Sequence, residues 1–117
     1  MQRKKFDAVL KSVSSLFRIL SHPDRVRLIG LLQKQEMAVS ELQQALGVSQ
    51  SVVSQHLKLF RFHGLVNERK YGTHVFYSLK NPMIKEVITA AIALQAYDAS
   101  QINETTLNLL QELSGLW

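Results

Sequence analysis

The chain has no cysteine. That absence removes disulfides, thiolate metal sites and cysteine nucleophiles together, and it suits a cytoplasmic protein without requiring one. No apolar run approaches membrane-spanning length. The N-terminus begins like a basic signal region, but Lys11 and Arg18 interrupt its apolar stretch and no small-residue cleavage site follows. We therefore expect a cytoplasmic protein with no membrane partner. Nucleophile elbow and phosphate-binding loop are both missing. The four histidines, His22, His56, His63 and His74, fall in different elements without ligand spacing. No enzyme activity, no cofactor and no metal site is expected.

Acid is scarce in the middle of the chain. Across residues 42–80, Lys58, Arg61, Arg69, Lys70 and Lys80 face a single carboxylate, Glu68, in a protein whose net charge is +5. Such a field attracts a polyanion. Residues 81–117 carry more acid than base and lie outside that footprint. With 46% apolar and 20% charged residues over 117 positions, the chain is one globular domain, 1–117.

Residues 39–64 organise it: V-S-E-L-Q-Q-A-L-G-V-S-Q-S-V-V-S-Q-H-L-K-L-F-R-F-H-G. The spacing predicts two helices with a corner over 40–63. Ser40 and Gln43 form a capping pair for the first helix, Gly47 ends it, and Ser49 caps the second. At 100° per residue the second helix puts Val52, Val53, Leu57, Leu59 and Phe60 on one side. Gln50, Ser51, Ser54, Gln55, Lys58 and Arg61 take the other, with Phe62 intruding near them and no carboxylate among them. An ordinary solvated face is rich in Glu and Lys, whereas small hydroxyls, amides and cations suit base edges and phosphates. Gln50, Ser51, Ser54 and Gln55 are the expected base readers. Lys58 and Arg61 are expected on phosphates. The wheel puts His56 between Val52 and Phe60 on the inner flank, as a packed histidine bonded to backbone.

Ahead of this corner, Phe6, Val9, Leu10, Val13, Leu16, Phe17 and Leu20 recur at helical steps, predicting a helix over 1–20 that needs a large apolar partner. S-H-P-D at 21–24 predicts a second helix capped by Ser21, with Pro23 in its first turn. After Gly64 the period becomes alternating, which predicts a hairpin over 65–79 turning at Gly72. Arg69, Lys70, Thr73 and His74 cluster at its tip, where a wing would meet phosphates or the minor groove. Asn81 and Pro82 open a last long helix over 82–98. Its Ile84, Val87, Ile88 and Ala91 are expected to meet Phe6, Val9, Leu10 and Val13 of a second copy. A short C-terminal helix is expected over 104–113.

The fold is thus mainly α with a small β-hairpin wing, α-α-α-α-β-β-α, a dimeric winged helix-turn-helix. From Leu16 to Leu79 the run L-F-R-I-L-S-H-P-D-R-V-R-L-I-G-L-L, the helix-turn-helix and Y-G-T-H-V-F-Y-S-L resemble the ArsR/SmtB family of dimeric bacterial winged-helix repressors. The resemblance implies promoter DNA as ligand, a homodimer built from the first and last long helices, and base contacts at Gln50, Ser51, Ser54 and Gln55. Where soft-metal sensors of the family read E-L-C-V-C-D-L, this chain reads E-M-A-V-S-E-L, with Ala38 and Ser40 in place of the thiolates. Met83 to Tyr97 offers Glu86 as its one acid and no histidine, so the family's late-helix metal site is not expected either. Release from DNA, if regulated, is expected to use an organic molecule at the junction of the first and last long helices, ahead of a partner protein or simple abundance with no ligand. Two functions follow: a sequence-specific repressor on an inverted-repeat operator, or a winged-helix protein-interaction module without sequence-specific DNA binding.

Overall fold

The structure, a computed structural model, describes residues 2–96 together with Glu104, Thr105 and Asn108. Its order is α1 (Gln2–Leu20), α2 (Pro23–Lys34), β1 (Met37–Ala38), α3 (Val39–Leu46), α4 (Gln50–Phe62), β2 (Val66–Tyr71), β3 (His74–Leu79) and α5 (Ile84–Ala96). Within residues 2–96 the expected helices and wing are present, and the two-residue strand β1 is added to them. It pairs antiparallel with β3, Met37 opposite Tyr77 and Ala38 opposite Phe76, giving the sheet order β1-β3-β2. Two residues are too few to show an alternating pattern, so this strand has no sequence signature.

The helix starts follow local chemistry, with three corrections. Pro23 occupies the first helical position of α2, so the cap falls on His22, whose Nδ1 accepts from the Asp24 amide at 3.1 Å. Ser21 stands one residue too early to cap, and donates its hydroxyl to the Arg18 carbonyl at 2.6 Å, closing α1. Helix α3 likewise begins before Ser40. Its cap is Ala38, held extended by the pairing with β3, and Glu41 accepts from the Ala38 amide at 3.0 Å. The sheet supplies the extended backbone that a capping serine would otherwise favour. Gly47 ends α3 at φ 71° and ψ 28°, with its amide on the Gln43 carbonyl, and Ser49 caps α4 by accepting from the Val52 amide at 3.3 Å, both as expected. Asn81 accepts from the Met83 amide ahead of α5, so regular helix starts at Ile84, later than position 82. The end of the expected 82–98 helix and most of 104–113 lie outside the described residues.

Leu28, Ile29, Leu42, Val53, Leu57 and Phe60 are fully buried, fixing α2, α3 and α4 around one centre. Truncating any of the leucines to alanine there costs about 2–5 kcal/mol. Ile84 and Ile88 of α5 complete this core, at 6% and 5% exposure. That corrects the expected interface, because these two side chains are consumed inside their own protomer. Outward of that core, Met83 just ahead of α5 and Ala91 and Leu94 within it are exposed, with Val87 half-buried between them at helical spacing. On α1, Phe6, Val9, Leu10, Val13 and Phe17 are all exposed, and Ile19 is its one buried residue.

Candidate nucleic-acid interface

Helix α4 separates its side chains as the wheel requires. Val53, His56, Leu57 and Phe60 are buried, while Gln50, Ser51, Ser54, Gln55, Lys58 and Arg61 are exposed. Phe62, at 84% exposure, stands at the C-terminal end of this outer surface. The Ser51 hydroxyl lies 3.1 Å from that of Ser49, so it shares a hydrogen bond with the cap residue. At the other end of the site, Gly72 adopts φ 62° as the first residue of a two-residue turn, with Tyr71 opposite His74. This is the hairpin geometry in which glycine takes the first central position. The turn approaches the start of the helix-turn-helix: Ser40, Gln50, Thr73 and His74 share a shallow recess of about 200 Å³. Thus one expected base reader, Gln50, lies beside two of the expected wing residues, Thr73 and His74.

The cations divide into two kinds. The side chains of Lys58 and Lys70 are exposed and make no ion pair or hydrogen bond among the described residues. Arg61 and Arg69, expected on phosphates, are each held by a carboxylate. Arg61 Nη1 lies 3.1 Å from Glu68 Oε2, which also accepts from the Tyr77 hydroxyl at 2.9 Å. Burial first, then the Glu68 carboxylate, push the Tyr77 phenol up to about 12. Arg69 bonds both oxygens of Glu36, with Nη2 at 2.7 Å from Oε1, and its guanidinium lies 4.8 Å from the Phe76 ring centroid. Glu36 sits 33 positions away in sequence, in the lead-in to β1, which is why charge counting missed the pair. Tyr71, at 71% exposure on the wing tip, is a further aromatic that the sequence reading did not single out.

On the inner face of α4 the structure brings together two of the histidines treated separately in the sequence. The rings of His22 and His56 meet edge to face with centroids 4.7 Å apart. His56 is buried, and its partner is a side chain rather than backbone: Arg25 Nε donates to its Nδ1 at 3.1 Å. Arg25 also donates through Nη1 to the Ile19 carbonyl at 3.2 Å. Asp24 stands close enough that one oxygen, with a nitrogen from each ring, falls within 4.8 Å of the others. The donor set nevertheless suits a cation poorly. Both Nδ1 atoms accept hydrogen bonds, which leaves each neutral ring carrying its proton on Nε2, and a guanidinium touches the cluster.

Comparison with known proteins places this geometry. The family model described as bacterial regulatory protein, arsR family, matches residues 22–68. The biofilm growth-associated repressor of Xylella fastidiosa is 32% identical over 90 residues, covering 77% of this chain and 79% of that protein. The chain belongs to the ArsR family. Among solved structures, Rv0081 of M. tuberculosis superposes with a TM-score of 0.71 at 32% identity, covering 79% of this chain and 93% of that one. The repressor BigR of Xylella fastidiosa gives a TM-score of 0.69 at 31% identity, covering 80% and 96%. The wing and helix-turn-helix of this ArsR-family chain are therefore those of a DNA-binding transcriptional regulator, and a protein-interaction module is not favoured. No helix among the described residues is long and apolar enough to cross a membrane.

In this ArsR-family chain the two positions where the soft-metal pattern has cysteine are structurally unlike each other. Ala38 is buried at the strand-to-helix junction, and Ser40 is exposed in the first turn of α3. The junction of the first and last long helices does contain a recess, of about 280 Å³, bounded by Phe17, Leu20, Val26, Val87, Ile88 and Ala91 among others. Ala91 lines it, whereas Ala90 and Ala93 do not.

Proposed function

We propose that this chain is a homodimeric repressor that binds an inverted-repeat operator. Gln50, Ser51, Ser54 and Gln55 read base edges in the major groove, and Lys58 and Lys70 neutralise phosphates. Thr73 and His74 bring the wing turn to the adjoining backbone. Arg61 and Arg69 join them to the extent that DNA draws them from Glu68 and Glu36. The observation that carries this reading is the outer face of α4, free of carboxylates and beside the wing turn at Gln50. The dimer reading is supported by an exposed apolar stripe from Phe6 to Phe17 on α1 and by Met83, Ala91 and Leu94, exposed on and just ahead of α5. A winged helix-turn-helix neighbour from Mycobacterium bovis is itself described as homodimeric. The recess between α1, α2 and α5 would take an apolar organic effector, since Gln95 is the one polar residue lining it.

A gel shift on the region upstream of the protein's own gene, repeated at rising salt, tests the reading. Retarded DNA that resists competition by random duplex supports it. Equal competition by random and upstream DNA removes the sequence-specific reading.

A further inference from the structure

His56 is the buried polar side chain of the core among the described residues, at 7% exposure, and its Nε2 has no hydrogen-bond partner. Its position matters because it shares the buried face of α4 with Leu57, directly behind the exposed reading face. Ser54 and Gln55 precede it on the exposed face, and Lys58, two residues on, returns to that face. What fixes the ring therefore helps to fix the height and rotation of the reading face above the rest of the domain.

Three elements converge on that ring. Arg25, in the first turn of α2, donates Nε–H to His56 Nδ1 and Nη1–H to the Ile19 carbonyl at the end of α1. His22, the cap of α2, lies edge-on against the same imidazole. One guanidinium thus ties the end of α1 and the start of α2 to the inner face of α4. We propose that His56 is a positioning residue for the DNA-reading helix, held by Arg25 and His22, and that protonation of this ring pair loosens α4 and weakens operator binding. The inference rests on the reading of α4 as the DNA-contacting helix.

The chemistry makes the contact conditional on charge. In the neutral pair both Nδ1 atoms are acceptors, so an added proton has to enter at one of them. On His56 it would turn the Nδ1 toward Arg25 from acceptor to donor, setting donor against donor and cation against cation. On His22 it would remove the acceptor that caps the Asp24 amide. Burial first, then His22 and Arg25, hold the His56 imidazole below its ordinary range, with Asp24 acting in the opposite direction. His22, the cap of α2, and Asp24 and Arg25 of its first turn are the charged and titratable groups that face it. The other elements packed on α4 contribute none: Glu41 of α3 bonds the Ala38 amide, Glu68 and Arg69 of β2 are paired with Arg61 and Glu36, and Lys70 is at the wing tip.

The test uses the full chain and a duplex that the protein itself selects from a random pool at pH 8.0. Affinity is followed by fluorescence anisotropy at constant ionic strength from pH 8.0 to 5.5. The background is H63Q/H74Q, which removes the two exposed imidazoles from the profile, and its own Kd at pH 8.0 is the reference for every comparison. Kd should rise at least about threefold on acidification, and adding His56→Gln, which keeps a neutral acceptor for Arg25, should flatten the profile. In the wild type, the His56 ring proton followed by NMR should titrate at lower pH in the DNA complex than in the free protein. This measurement decides the matter if H56Q does not fold. An unchanged H63Q/H74Q profile, a slope that survives H56Q, or equal His56 midpoints free and bound would overturn the proposal. Failure to select or bind any duplex at pH 8.0 removes the DNA reading itself, and this inference with it.

Discussion

Arg69 and Glu36 form a two-pronged ion pair at the side of the wing, with the guanidinium bonding both carboxylate oxygens at 2.7 to 3.2 Å. A cation that sequence alone assigns to phosphate is thereby tied to the segment leading into β1. The Arg69 hydrogen bond holds the Glu36 carboxyl below its ordinary range, so the pair persists into mild acid. Glu36→Gln should release Arg69 toward DNA, steepening the plot of log affinity against log salt by about 0.9 for each phosphate newly neutralised. Arg69→Ala should change the salt slope less than Lys70→Ala. Equal slope changes for those two would identify Arg69 as a phosphate contact in the wild type.

Gln50→Ala should weaken binding to the selected operator by about 1–3 kcal/mol while leaving random duplex nearly unaffected. Both affinities are measured in one titration series at fixed salt. Similar losses on the two duplexes would assign Gln50 to the backbone.

The two faces of α5 should respond differently to charge. Ile88→Asp places a carboxylate in the protomer core, and should unfold the chain. Leu94→Glu changes a side chain 75% exposed in the protomer, and should leave folded monomer in sedimentation at micromolar concentration. The wild type should sediment as a dimer whose recognition helices match half-sites one duplex turn apart, roughly 34 to 36 Å. A stable wild-type monomer would exclude the dimer.

Folding stability should fall on the acid side of neutrality. His56 binds its proton less readily in the folded chain, so its contribution is complete above the ordinary value of 6.5. As pH drops below that value the unfolded chain takes up a proton that the folded chain resists, and stability is lost toward the folded pKa. Urea midpoints at pH 7.5, 6.0 and 5.0 should decline more steeply for the wild type than for H56Q. Parallel declines would locate the acid sensitivity elsewhere.

Zinc, cadmium, arsenite, peroxide or polysulfide, titrated against the protein–operator complex, should each leave affinity within about threefold, under ~0.7 kcal/mol of coupling. The reasons are the missing thiol and the two engaged Nδ1 atoms of the His22–His56 pair. A tenfold loss with zinc that disappears in His22→Ala would show that the pair gives up those bonds to a metal.

The parts legible in the sequence are those whose signal is local. Val53, Leu57 and Phe60 against Gln50, Ser54 and Lys58 define both faces of α4 within four turns, and Gly47 and Ser49 mark the corner by backbone chemistry alone. What escaped depends on distant partners. Ala38 caps α3 because Phe76 fixes its backbone, and Arg61 and Arg69 are occupied because Glu68 and Glu36 fold back onto them. The sides of α5 were misread for a related reason. Its helix is apolar nearly all round, so periodicity cannot tell the stripe facing its own core from the stripe left outward.

The junction at Ala38 also defines what could be transplanted. Because the last residue of β1 is at once the cap of α3, no linker separates the sheet from the helix-turn-helix. A graft cut at residues 40–63 would leave behind the strand that orients its first helix. One spanning residues 36–79 would carry the orienting strand, the hairpin and the Arg69–Glu36 clasp as a single cassette. Within that cassette the outward residues of α4 make no core contact, so new binding specificities can be installed by exchanging them as a set. Insertions between Ala38 and Val39 should be the ones that such a chimaera tolerates least.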